Sequence, residues 1–292
     1  MRFTAIPLRF FQESHIIKPI VNIGESAAKT RDWRSAVAAV KRTYTAKGRA
    51  TSGCYAIEGF RLHERALRAN APLQLVLATE QYRKRPPARA RALLSNLRAA
   101  HVPLYFAPEE VMADLTNGRS LGGFLGLVKL PRPPSLATIT QTAGPLLLVT
   151  VDVIDPGNLG AMLRTGHAFG VTAFVTIGGS DPFHPKAVRT SMGSLFKIPI
   201  LPRVDPVSLL AHLQKANILT VGAVAQNGVS LPQADLSGKG AAVFLGSEYF
   251  GLPEALAGRL DCLVTIPMAG GIDSLSINAA AAVILYEITR NQ

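Results

Sequence analysis

The stretch DCLVTIPMAGGIDSLSINAAAAVILYEITRNQ, residues 261–292, joins a short apolar run, a glycine-rich polar segment and a long apolar segment. Leu263–Ile266 predicts a buried strand whose ladder Pro267 stops. Gly270 and Gly271 predict a tight turn ahead of Ser274 and Ser276, two candidate helix caps. Ala279–Tyr286 is apolar all round, which predicts a helix buried in a core or in a subunit interface. Such a strand, loop and helix builds a ligand site, although the combination is common in α/β proteins.

The same pattern extends upstream. Continuous apolar runs at residues 146–151, 173–177, 218–224 and 242–245 suit strands covered on both faces, and 159–169 and 207–215 read as helices between them. Residues 145–292 therefore predict a parallel, doubly wound α/β sheet with its ligand site at the carboxyl ends of the strands. Ahead of it, residues 34–42, 60–69 and 89–100 read as helices, and 55–57, 73–78 and 102–106 as strands, giving a small α/β sandwich over residues 30–130. TAKGRATSG (45–53) reads as a basic loop. PRPPS (131–135) opens a stiff linker, 131–144, and residues 1–29 form an N-terminal arm.

The charge divides along the same boundary. The chain of 292 residues carries +12, yet residues 1–140 hold 22 Lys+Arg against 9 Asp+Glu while residues 141–292 hold 9 against 10. A basic half joined to a near-neutral half predicts that one part grips a polyanion and the other performs chemistry. The candidate gripping residues are Arg31–Arg34, Lys41–Arg42, Lys47–Arg49, Arg61, Arg65 and Arg68, and Arg83, Lys84 and Arg85 with Arg89 and Arg91. Cys54 and Cys262 stand outside any metal-ligand spacing, so the reading is a reducing, cytoplasmic compartment with no metal site. No apolar run approaches the roughly 20 residues of a membrane span.

Three motifs follow strands of the second half. In DVIDPGNLGAMLRTGHAFG (152–170), Asp155-Pro156-Gly157 makes a turn, Asn158 is a candidate cap and Gly160 permits a close helix approach. Arg164, two turns in, calls for an anionic partner, either a carboxylate such as Glu248 or a bound phosphate. SDPFHPKAVRTSMGSLFKIPI (180–200) reads as a loop in which Lys186 and Arg189 suit nucleic-acid phosphates, with His184 as a surface or capping residue. FLGSEYFGLP (244–253) turns through Gly246 and exposes Glu248, to cap a helix or orient a cation. Neither GxGxxG nor GxxxxGK[ST] is present, which disfavours a nicotinamide enzyme and an NTPase.

Taken in order, these motifs resemble the SpoU-type, or TrmH-type, RNA ribose 2′-O-methyltransferases of the SPOUT superfamily. The resemblance rests on Asp155-Pro156-x-Asn158-x-Gly160 with Arg164; on Leu245-Gly246-Ser247-Glu248 with Gly251-Leu252-Pro253; and on Ile266-Pro267-Met268 with Gly270, Ser274-Leu275 and Glu287. AIEGFRLHERALRANAPLQLVLAT, upstream, resembles the substrate-binding domain of the ribosomal-RNA-modifying branch. The third motif departs from the family: Ser276 stands where an Asn is usual, and Asn278 follows two positions later.

The resemblance implies a trefoil-knotted, homodimeric α/β domain that binds S-adenosylmethionine through Gly246, Ile266, Met268 and Leu275. It implies Arg164 as the catalytic residue, Glu248 orienting it, and Asn158 and Ser274 ordering the site; Arg189 and Lys186 would meet RNA, as would Arg83, Lys84 and Arg85. A guanidinium is a poor base, so charge stabilisation by Arg164 stands beside proton abstraction. The expected substrate is ribosomal RNA. The alternatives are a tRNA ribose methyltransferase and a catalytically weak RNA-binding factor of ribosome assembly.

Overall fold

The computed structural model describes residues 32–118, 122–270 and 274–290; the expected N-terminal arm and Gly271 lie outside them. The first half runs α1 (Trp33–Arg42), α2 (Ala46–Ser52), β1 (Cys54–Glu58), α3 (Gly59–Arg68), β2 (Leu73–Thr79), α4 (Gln81–Lys84), α5 (Ala88–Ala99), β3 (Leu104–Ala107), α6 (Glu109–Leu115) and β4 (Phe124–Lys129). Its sheet has the order β1-β4-β2-β3, with β4 antiparallel to both neighbours and β2 parallel to β3.

β4, the buried centre of that sheet, was not expected from the sequence. Gly122 and Gly123 precede it and Gly126 interrupts its side-chain pattern. That glycine is required by packing: a Cβ at 126 would fall 2.6 Å from Nε2 of His63, a fully buried residue of α3. The expected loop at 45–53 is also a helix. Thr45 Oγ1 accepts from the Gly48 amide at 3.1 Å, and Gly53 ends α2 in the left-handed region at φ 64°.

The second half begins with α7 (Leu136–Thr140), capped by Ser135 and buried through Ile139, within the stretch expected to be a stiff linker. It continues through β5 (Leu146–Val151), α8 (Pro156–Ala168), β6 (Ala173–Ile177), α9 (Pro185–Thr190), β7 (Ile200–Leu201), α10 (Pro206–Lys215), β8 (Leu219–Ala223), β9 (Val229–Ser230), β10 (Ala241–Leu245), α11 (Glu254–Ala257), β11 (Cys262–Thr265) and α12 (Ile277–Arg290). Seven strands form one sheet, ordered β7-β6-β5-β10-β8-β11-β9, and every pairing is parallel. The parallel sheet expected from the apolar runs is thus present. Every residue of β5, β6 and β10 is buried, and alternate side chains supply two cores. Leu146 and Leu148 pack with α8, α9 and α12, while Leu147 and Val149 pack with α7 and α10. No helix among the described residues is long and apolar enough to cross a membrane.

The two sheets share a core. Tyr55, Ile57, Leu62, Ala66 and Val128 of the first half belong to the same apolar cluster as α8, α9 and α12, and the rings of Tyr55 and Phe183 lie 5.0 Å apart. Polar contacts reinforce the junction. Arg49, 3% exposed, places Nη2 at 2.6 Å and Nε at 2.8 Å from Asp181 Oδ2 and donates to the Thr43 carbonyl at 2.8 Å. It therefore holds the fold together and leaves the set of expected RNA-gripping residues.

Of the two placements expected for the apolar α12, core or subunit interface, the core of this chain accounts for one face. Ile277, Ala281, Ile284, Leu285 and Ile288 face the core, whereas Val283 and Tyr286 are exposed. Its apolar composition exceeds what one chain buries.

Two stability tests follow from these contacts. Asp181→Ala strands the Arg49 charge in the core and should lower stability by about 3 kcal/mol in urea unfolding, while Arg49→Met should cost distinctly less. His63, with Nδ1 donating to the Gly59 carbonyl at 2.7 Å, is kept neutral by burial, its pKa lowered to about 4. In the unfolded chain a histidine protonates near pH 6.5, so its contribution is complete above that pH and declines as pH falls towards 4. From pH 7 to pH 5 the loss should be about 2 kcal/mol, and His63→Leu should lack it.

Candidate active site

The carboxyl ends of β5, β6, β10, β8 and β11 meet along one edge of the parallel sheet, where ligands of such folds bind. Past β5 the chain turns at Asp152, which adopts φ 51°, a left-handed conformation that Asp tolerates better than most residues. Its amide donates to the Ile177 carbonyl at 2.9 Å, and its carboxylate lies over Gly178, where a Cβ would come within 2.0 Å of Oδ1. The carboxylate of Asp152 makes no hydrogen bond or ion pair to any described residue.

Asp155, and not Asn158, caps α8. Asp155 Oδ1 accepts from the Gly157 amide at 2.8 Å and from Lys186 Nζ at 2.7 Å, and the Lys186 hydrogen bond, followed by the amide, holds its carboxyl below the usual range. With Pro156 at the first helical position, Asn158 falls in the first turn, and its Nδ2 donates to Glu248 Oε1. Gly160 permits the expected close approach, and the neighbour is α9: a Cβ there would meet Thr190 Oγ1 at 2.0 Å and the Ala187 carbonyl at 2.2 Å.

β10 leads into a tight loop. A Cβ on Gly246 would fall 2.1 Å from the carbonyl carbon of Gly251, so only glycine lets the chain return this closely. Ser247 and Gly251 exchange two backbone hydrogen bonds, of 3.1 and 2.8 Å, and Ser247 Oγ accepts from the Tyr249 amide. Glu248, Tyr249 and Phe250 form the tip. The two rings are 85% and 86% exposed and tilted by 54° at 6.5 Å, so neither covers the other. Phe250 borders an open cleft of about 510 Å³ with Asp152, Ile154, Gly179, Ser247 and Pro253.

On the other flank of β10, Ile266 and Met268 follow β11 half-buried, and Leu275 is 38% exposed ahead of α12. Ser276 is the helix cap, its Oγ accepting from the Ala279 amide at 3.3 Å; Ser274 is exposed and caps no helix among the described residues. Asn278 Oδ1 accepts from Thr165 Oγ1 of α8 at 2.8 Å. The two residues that depart from the family pattern therefore both serve the local fold, one as a cap and one as a helix-to-helix tie.

The expected pairing of Arg164 with Glu248 is not present. Glu248 is engaged by Asn158, and Arg164 stands exposed on α8 without a hydrogen bond or ion pair to any described residue. Nor does Glu248 cap α11, whose N-terminal neighbour is Pro253. The expected loop at 180–200 holds α9 and a 3-10 turn (Ser194–Phe196). Within it, His184 Nδ1 accepts from the Lys186 amide, as a capping histidine would, and Arg189 lies 3.5 Å from the buried Glu58 carboxylate. Lys186 and Arg189 are thus both held by acids of this chain. Arg83, Lys84 and Arg85 are exposed on and just after the short α4, with Glu80 3.9 Å from Arg83. Among the described residues no group of His, Cys, Asp or Glu could hold a metal ion.

Asp152, Tyr249 and Phe250 were not among the residues expected from the sequence. The adjacent aromatic pair inside a glycine-bounded polar turn was the legible signal for the latter two. Asp152 had none, because its position depends on the neighbouring strand β6.

The half-buried Ile266 and Met268 and the exposed Leu275 offer apolar side chains, and the close-folded Gly246 loop offers main chain, to the mouth expected for the adenosyl group. The residues present therefore fit S-adenosylmethionine.

Comparison with known proteins agrees with this geometry. The SpoU rRNA Methylase family matches residues 145–286, and the MRM3-like substrate binding domain matches residues 35–125. The chain is 32% identical over 231 residues to the 23S rRNA (guanosine-2'-O-)-methyltransferase RlmB of Pasteurella multocida (strain Pm70), covering 76% of this chain and 93% of that one. It is 29% identical over 264 residues to the 23S rRNA (guanosine(2553)-2'-O)-methyltransferase RlmP of Bacillus subtilis (strain 168), covering 89% and 95%. Among solved structures, the AdoMet-bound rRNA methyltransferase from Sinorhizobium meliloti has a TM-score of 0.78 at 25% identity, covering 90% of this chain and 97% of that one. The SpoU methyltransferase AviRb from Streptomyces viridochromogenes, in complex with AdoMet, has a TM-score of 0.79 at 25% identity, covering 89% and 98%. With three motifs in order along one parallel sheet edge and relatives matched over most of their length, the chain belongs to the SpoU family of RNA methyltransferases.

Proposed function

We propose that this protein methylates the 2′-hydroxyl of a ribose in ribosomal RNA, at a guanosine, using S-adenosylmethionine. The observation that carries the reading is the Asn158–Glu248 contact, which joins the first and second motifs at the carboxyl ends of β5 and β10. The ribosomal substrate and the guanosine follow the relatives named above.

S-adenosylmethionine, when bound, supplies an electrophilic methyl group. What remains for this chain is to hold the ribose hydroxyl in line, exclude bulk water and stabilise the charge that develops on the oxygen as its proton passes to a neighbouring phosphate oxygen of the RNA. Gly246, Ile266, Met268 and Leu275 would hold the adenosyl portion. A guanidinium has donors and no acceptor, so Arg164 acts by donating to the reacting oxygen, with no role as a base. Its lack of a described partner leaves those donors available to substrate. Glu248 and Asn158 hold each other, and through the loop they fix the floor beside the hydroxyl. Ser274 orders the same mouth.

Residues 30–130 are assigned to RNA binding, 131–144 to the connection and 145–292 to catalysis. Arg83, Lys84 and Arg85 form the positive rim, whereas Lys186 and Arg189 would reach RNA only by exchanging their carboxylate partners for phosphates. The exposed face of α12, with Val283 and Tyr286, is assigned to a homodimer contact, and the protein to the cytoplasm. The knot expected of the family is assigned to the domain 145–292, of which 271–273 and 291–292 lie outside the described residues.

Transfer of labelled methyl from S-adenosylmethionine to deproteinised ribosomal RNA, with tRNA in parallel, tests the reading. The expected product is a 2′-O-methylguanosine in ribosomal RNA. Label in tRNA alone would overturn the substrate, and RNA binding without label would point to an assembly factor. Arg164→Ala should reduce transfer at least about 100-fold with RNA affinity nearly intact. Replacing Arg83, Lys84 and Arg85 together by Gln should flatten the slope of log affinity against log salt by about 2. An unchanged slope would remove that cluster from the RNA path.

A further inference from the structure

Sheet order separates the expected cofactor mouth from a cleft at the same edge. The mouth expected from Gly246, Ile266, Met268 and Leu275 belongs to segments that follow β10 and β11, whereas the cleft bordered by Asp152, Ile154, Gly179 and Phe250 lies at the ends of β5 and β6. The loop closed by the Ser247–Gly251 bridge lines that cleft through Ser247, Phe250 and Gly251. The cleft has no part in the reaction as derived above, yet its volume of about 510 Å³ is in the range of small-molecule sites.

Three features of this cleft define its ligand. First, Phe250 and Tyr249 are almost fully exposed on a loop tip that backbone hydrogen bonds pin in place, which is how a protein presents a flat stacking surface. Second, of the acids near this strand end, Asp155 is neutralised by Lys186 and Glu248 is engaged by Asn158. Asp152 alone offers a carboxylate without a partner among the described residues. Third, Asp152 is a cleft wall together with Phe250. Carboxylates repel a phosphate, so the ligand is not the RNA backbone. A flat heterocycle with two adjacent N–H donors satisfies both the ring and the carboxylate, and among the RNA bases guanine has that edge, with N1–H beside the 2-amino group.

The geometry points to the Asp152–Phe250 cleft as the seat of an unpaired guanine base, stacked on Phe250 with its donor edge on Asp152. This inference rests on the RNA ribose methyltransferase reading and deepens it. The base of the methylated nucleotide would be read on one flank of β10 while its ribose faces the cofactor mouth on the other. Recognition of an unstacked base by an aromatic face and by hydrogen bonds to its edge is the usual mode for single-stranded RNA.

The test is fluorescence anisotropy of the full chain with labelled single-stranded pentanucleotides identical except for a central guanosine, inosine, adenosine or uridine, with S-adenosylmethionine present. The guanosine probe should bind about fivefold tighter than the adenosine and uridine probes, with inosine, which lacks the 2-amino donor, in between. Asp152→Asn, which tolerates the same left-handed backbone, should erase the preference. Phe250→Ala, at an exposed position, should weaken every probe about tenfold, and Phe250→Tyr should restore binding. Equal affinity for all probes, no binding of any, or a preference that survives Asp152→Asn would overturn the assignment. So would an effect of Phe250→Ala confined to subunit association or to S-adenosylmethionine binding. Methyl transfer by the unaltered protein to ribosomal RNA separates the two readings: transfer without base preference defeats only the cleft, and base preference without transfer defeats only the reaction.

Discussion

The active edge of this protein depends on a backbone approach that only glycine allows. Gly246 leaves β10 so close to Gly251 that a single methyl group would overlap the returning chain. The loop closed by that contact does three things at once. It brings Glu248 onto Asn158 of α8, it projects Tyr249 and Phe250 into solvent, and it lines the cleft that Phe250 shares with Asp152. Each consequence depends on the loop having one conformation, and the Ser247–Gly251 hydrogen bonds enforce it.

The second constraint is the junction between the halves. A basic RNA-binding part could be carried on a flexible tether, but here β1 and α3 share apolar packing with α8, α9 and α12, and the Arg49–Asp181 pair lies within the seam. Positive charge is therefore sorted by burial. Arg49 is spent on cohesion, Arg89 forms a two-pronged pair with Glu64, and Lys41 pairs with Asp114. Arg83, Lys84 and Arg85 remain exposed. A rigid junction suits an enzyme that must place one ribose among many, since the distance from the basic rim to the active edge is then set by the fold.

Much of this architecture was legible in the chain itself. Runs such as LLLVTV at 146–151 and AFVTI at 173–177 are apolar at every position, and only a strand covered on both faces accounts for that, so a parallel sheet followed. The motifs at 155–164, 245–253 and 266–275 carry their glycines, prolines and polar residues at spacings that reflect local turns, which is why the family resemblance was visible without coordinates. Local chemistry also explains the misses. Thr45 and Gly53 bracket a helix with a cap at each end, but the Gly, Thr and Ser between them have weak helical propensity. β4 carries a glycine demanded by a histidine from another element.

The parallel sheet, the order of its motifs and the uneven charge are legible in contiguous residues, because local periodicity and composition carry them. Which charges are available and which side chains meet follows from long-range packing. Whether Glu248 holds Arg164 or Asn158, whether Arg49 faces RNA or Asp181, and whether Asp152 and Phe250 share a cleft depend on strands distant in the chain lying side by side. No local pattern encodes that neighbourhood, since it arises from the order in which the strands enter the sheet.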